Sequence, residues 1–69
     1  MNSDSRIVIE NRLLPTFRRT MTDKYEMSGN YVGKAIRGEL PTKKIAIKIV
    51  ADYNKFKAAI DDLVKSIEN

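Results

Sequence analysis

From Thr42 to the end of the 69-residue chain there is no glycine and no proline, and the apolar residues fall at helical spacing. Ala46, Ile49, Val50 and Tyr53 form one stripe. Tyr53, Phe56, Ile60, Leu63 and Ile67 then step by 3, 4, 3 and 4, which is the spacing of a heptad seam. This commits the C-terminal part of the chain to helix, with Asn54 leaving open whether it is one helix or two. Two heptads are too short for a free coiled coil. The segment must pack on its own domain, on a second copy, or on both.

The breakers Pro15, Gly29, Gly33, Gly38 and Pro41 all precede that segment. Ile7-Val8-Ile9 is β-branched, which suits a short strand, whereas Ile9, Leu13 and Phe17 recur every four residues, which suits a helix. We expect a helix from about residue 8, ended or kinked at Pro15. A second short helix is expected over residues 16–25, capped by Thr16, with Phe17, Met21 and Tyr25 inward. After a turn at 26–28, Ser28 caps a third helix over 29–37, with Val32, Ala35 and Ile36 inward and Gly38 as its stop. Thr42 is the expected cap of a fourth. The sequence thus predicts a small all-α domain of four to five helices ending in a long C-terminal helix.

Length and composition restrict function. A chain of 7.9 kDa is one domain, here residues 1–69, and its stability is small. It has no cysteine and no histidine, which removes disulfides, thiolate or imidazole metal sites and Ser-His-Asp chemistry. Asp61 and Asp62 are adjacent and diverge by about 100° on a helix, so they make no general acid/base pair. No apolar run approaches the roughly 18 residues of a membrane span. Met1-Asn2-Ser3-Asp4-Ser5 lacks the pattern of a signal peptide. We expect a cytoplasmic binding module, not an enzyme, with no cofactor, metal, membrane or small-molecule substrate.

Charge is uneven. The chain carries a net +4, but residues 12–48 alone carry +6, with nine basic and three acidic side chains. A basic centre is an electrostatic footprint for a polyanion. The plainer reading is an ordinary solvated surface.

Two short helices joined by a tight turn, the second capped by Ser and ended by Gly, make a helix-turn-helix. Such helices cross steeply and need small or apolar residues between them. Met21, Thr22, Tyr25, Met27, Val32 and Ala35 satisfy this. The outer face of the 29–37 helix is then Gly29, Asn30, Gly33, Lys34 and Arg37. It has an amide and two cations and no acid, the groups that read base edges and hold phosphates.

The stretch Met27-Ser28-Gly29-Asn30-Tyr31-Val32-Gly33-Lys34-Ala35-Ile36-Arg37-Gly38-Glu39-Leu40-Pro41 resembles the recognition-helix region of the Cro and lambda-repressor-like (XRE-type) DNA-binding domains. Ile45 to Ala51 is similar to their fourth helix. The likeness covers roughly residues 6–53. Residues 54–69 form a C-terminal helical segment for packing or dimerisation. Three positions depart from the family's pattern. Glu26 stands where the turn usually has Gly, so either it adopts φ > 0 or the turn differs. Thr22 replaces a usual Ala, and Pro15 falls where the chain normally continues or loops.

The resemblance implies a double-stranded DNA partner, with the 29–37 helix in the major groove. Asn30 would read adenine or another base edge, and Lys34 matches a base-contacting position. Arg37 would hold a phosphate, or simply oppose the helix dipole. Ser28, the cap, joins the DNA-binding set, and Gly29 permits either close approach of the helix to DNA or close helix packing. Gly33 permits either close approach to DNA or close helix packing. The Tyr31 hydroxyl would meet a phosphate, or its ring would be core. Arg18 and Arg19, near a helix start, and Lys43 and Lys44 would hold the DNA backbone. Family members usually bind as two-fold dimers, and Tyr53, Phe56, Ile60, Leu63 and Ile67 form the candidate homodimer seam. On that reading Ile60→Asp separates the copies and leaves residues 16–37 folded. The expected function is a small phage-type transcriptional regulator. The alternatives are a protein-interaction module (antitoxin, antirepressor or assembly subunit) on the same fold, or non-specific polyanion binding through the basic centre.

Overall fold

The computed structural model describes residues 2–68, with side-chain environments for residues 5–67. Met1 and Asn69, the ends of the expected 1–69 domain, lie outside the described residues. Three helices follow one another: α1 (Asn2–Tyr25), α2 (Gly29–Ile36) and α3 (Lys44–Glu68). There is no strand among the described residues, so Ile7-Val8-Ile9 is helical.

The expected break at Pro15 does not form. Proline lacks the N–H that would bond the carbonyl of Asn11, but both residues are exposed and water can serve that carbonyl. The apolar faces before and after Pro15 meet the same neighbour, α3, so packing keeps the helix continuous. Thr16 is therefore not a cap. Its carbonyl accepts a hydrogen bond from the Thr20 hydroxyl at 2.9 Å, inside the helix. The same continuity makes the helix count three, not four or five. Residues 44–68 form one unbroken helix through Asn54. Thr42 lies in a turn, and Lys43 takes the cap position, its carbonyl accepting from the Ile47 amide at 2.9 Å.

The core forms where all three helices meet. Phe17 and Met21 of α1, Val32 and Ala35 of α2, and Ala46 and Ile49 of α3 are buried together. Leu14, Tyr25, Met27, Tyr31, Ile36 and Leu40 pack around them. An aromatic group ties α1 to α3: Phe17 and Phe56 stack at 4.7 Å between centroids, and Tyr53 lies 5.7 Å from Phe17. Such pairs add about 0.5–1.5 kcal/mol each beyond the area they bury. At the C-terminal end of α1 the Lys24 ammonium and the Tyr25 hydroxyl both donate to the Asp52 carboxylate, at 2.9 and 2.7 Å. At the far end Arg6 pairs with Asp61.

Candidate functional site

α2 has two faces because its apolar residues fall on one side only. Val32 and Ala35 are fully buried, and Tyr31 and Ile36 are half-buried. Asn30 and Lys34, one turn apart, are exposed. Gly29 is exposed and a Cβ built on it would meet nothing within 4 Å.

Both ends of α2 are fixed by local chemistry. The Ser28 hydroxyl oxygen accepts from the Tyr31 amide at 3.1 Å, and the Ser28 backbone is extended, as an N-cap requires. At the other end Gly38 sits at φ 79°. Its amide donates to the Ala35 carbonyl at 3.0 Å, and the Glu39 amide to the Lys34 carbonyl at 3.0 Å. This pair of bonds is a Schellman motif, and it needs the left-handed residue that glycine supplies without steric cost. The turn before α2 uses the same conformation at a worse residue: Glu26 has φ 54°. Of the two possibilities open for that turn, the chain takes the strained one.

The residues expected to hold DNA meet different fates. Ser28 has its hydroxyl oxygen engaged as the cap. The Tyr31 ring packs against the core cluster, which favours its packing role. Gly33 is buried. The nearest atom to a Cβ placed there is Arg37 Nη1, at 3.4 Å. Arg37 itself is engaged, its Nε donating to Glu39 at 2.6 Å. The Arg37 guanidinium beside Glu39 holds that carboxyl below its ordinary range. Arg18 and Arg19 are exposed, but they lie mid-helix on the continuous α1, so no helix start lies beside them. Lys43 and Lys44 are exposed at the start of α3, whose first turn contains no acid. The first turn of α2 contains none either.

The candidate homodimer seam divides. Ile60 is 1% exposed, and Phe56 and Tyr53 stack with Phe17 of the same chain. These three residues are intramolecular core. Ile60→Asp would bury an unpaired charge and unfold the domain, so it does not test dimerisation. Leu63 and Ile67 remain 48% and 66% exposed. The Lys24–Tyr25–Asp52 group and the Arg37–Glu39 pair were not foreseen. Their partners are remote in sequence or cross a turn, and no periodicity marks them.

No protein-family model matches the chain, and no curated protein or solved structure matches it.

Proposed function

We propose that the protein binds double-stranded DNA sequence-specifically. In this reading α1, the turn at Glu26–Ser28 and α2 act as a helix-turn-helix, and α2 enters the major groove. The observation that carries it is the outer face of α2. Asn30 and Lys34 stand exposed on a helix whose opposite face is anchored in the core. An amide and a cation so placed can read base edges, because the anchored face fixes where they point. The two glycines support the same reading. A helical glycine costs up to about 1 kcal/mol relative to alanine. A Cβ on either glycine would meet no neighbouring helix; Gly29 leaves α2 slim where a groove would receive it, and Gly33 does so once the Arg37 side chain beside it moves to a phosphate.

Charge supplies the second support. Lys43 and Lys44 sit at the positive end of the α3 dipole, where they destabilise the helix unless an anion is near. A phosphate is such an anion, and these two lysines then fix register without reading sequence. In this reading the protein is a transcriptional regulator of the Cro or repressor type.

Selection from a random duplex pool tests the proposal. One enriched motif is expected. Asn30→Ala and Lys34→Ala should each lower affinity for it by about tenfold and relax preference at one base pair. Enrichment of no motif, with binding that collapses between about 50 and 200 mM salt, would leave only charge attraction.

A further inference from the structure

The residues of α2 put no acid on its outer face, yet the fold brings one there from beyond the helix. Gly38, at φ 79°, turns the chain back, and the Glu39 amide is held by the Lys34 carbonyl at 3.0 Å. Glu39 is thereby fixed beside the end of α2 that carries Lys34 and Arg37. Its carboxylate accepts from Arg37 Nε at 2.6 Å. Arg37, with a smaller pull from the Lys34 charge, holds that carboxyl below its ordinary 4.5, so it is ionised at neutral pH.

The pairing also decides where the guanidinium lies. Long side chains on a helix cover the turn before their own Cα. Arg37 does so: its Nη1 lies 3.4 Å from where a Cβ on Gly33 would be. Gly33 shares the outer face with Asn30 and Lys34. The guanidinium therefore rests on the part of α2 that a groove would receive.

We propose that Glu39 is a built-in competitor for the DNA backbone, holding Arg37 over the outer face of α2 until a phosphate takes its place. The inference rests on the DNA reading above and concerns the regulation of the same face. A carboxylate and a phosphate offer a guanidinium the same charge-assisted hydrogen bonds, so either can hold Arg37. The two paired side chains are 54% and 50% exposed, so water screens the bond and a phosphate can displace it. One exchange then does two things. It delivers a cation to the backbone, and it clears Gly33 for close approach. A duplex that seats α2 in its groove drives both. A duplex that does not seat it leaves Arg37 with Glu39 and is held by one cation fewer.

The test compares wild type, Glu39→Gln, Arg37→Ala and the double variant on a duplex of arbitrary sequence, titrated between about 50 and 200 mM salt. The Glu39 amide closes the turn and its side chain does not, so helical circular dichroism should be the same in all four. Glu39→Gln should bind about two- to fivefold more tightly than wild type. It should also steepen the fall of log K against log salt by about 0.9, the mark of one further phosphate contact. In the Arg37→Ala background the same substitution should leave the slope unchanged, because it frees no cation. Plain repulsion between Glu39 and DNA predicts the same gain in both backgrounds, and that result overturns the proposal. So does a Glu39→Gln that binds no more tightly than wild type. Selection of a motif is scored separately. Failure to enrich one removes base reading and leaves the competition measurable on any duplex. An enriched motif without the gain removes the competition alone. Absence of duplex binding by all four proteins overturns both.

Discussion

Gly33 separates two uses of a small residue. If it served helix packing, a methyl would strike another helix. The only close atom is the far end of the flexible Arg37 side chain, 3.4 Å from a Cβ at that position. Gly33→Ala should therefore stabilise the domain by about 0.5–1 kcal/mol, read by thermal denaturation. In the DNA reading it should also weaken binding to the selected duplex several-fold, because the added methyl meets the groove. Equal affinity would remove close approach as the reason for the glycine. Asp52 offers a different residue-scale test. Hydrogen bonds from Tyr25 and then Lys24 hold its carboxyl below the ordinary 3.8. The fold binds that proton less readily than the unfolded chain, so the pair stabilises above pH 3.8 and the benefit is lost as pH falls through the depressed value. Tyr25 and Lys24 are shifted upward by the same contacts. Their contribution is complete below their ordinary values of 10.0 and 10.5 and is lost as pH rises beyond them. Asp52→Asn should lower the melting temperature at pH 7 by a few degrees. That deficit should vanish in strong acid, as a pH series of melting curves would read.

At the scale of elements, what the sequence made legible is the work of spacing and of caps. The α2 boundaries follow from Ser28 and Gly38, whose chemistry admits few other uses. The long C-terminal helix follows from its unbroken apolar rhythm. The misreading at Pro15 came from weighing a local rule above a longer one. Ile9, Leu13, Phe17, Met21 and Tyr25 keep a four-residue step straight through the proline, which already argues for one face and one helix. A proline costs a helix interior about 3 kcal/mol in isolation, but the aromatic contacts of Phe17 with Phe56 and Tyr53 oppose a break there. Division of the heptad seam into buried and exposed residues was not legible, because periodicity gives a face and not how far the covering helix extends. Pro15→Ala should restore the missing hydrogen bond without disturbing a neighbour, since the ring is exposed. We expect a gain of about 1–3 kcal/mol in unfolding free energy by urea titration, with the slope against denaturant unchanged. A loss of stability would mean that the ring shapes α1 for packing.

For the whole molecule, the basic charge is concentrated in the middle of the chain. The excess of +6 lies in residues 12–48, which hold the second half of α1 (net +3 over residues 12–25), α2, the start of α3 and the turns around them. In the DNA reading this concentration makes a quantitative statement about salt. With Lys34, Arg37, Lys43 and Lys44 each meeting one phosphate, a single copy releases four counterions and log K falls against log salt with a slope of about −3.6. Two copies on one duplex double that to about −7. Arg37 must leave Glu39 to contribute, and a copy in which it stays paired gives about −2.7. The selected duplex, titrated at several salt concentrations, should give the steeper slope with wild type. The double variant Leu63→Lys, Ile67→Lys, at the exposed end of the candidate homodimer seam, should give about half of it on the same duplex. The introduced lysines lie far along α3 from Lys43 and Lys44, so they should add little to the slope themselves. Equal slopes for the two proteins would mean that each copy binds alone, and would separate the seam from DNA recognition even if the chain dimerises in its absence.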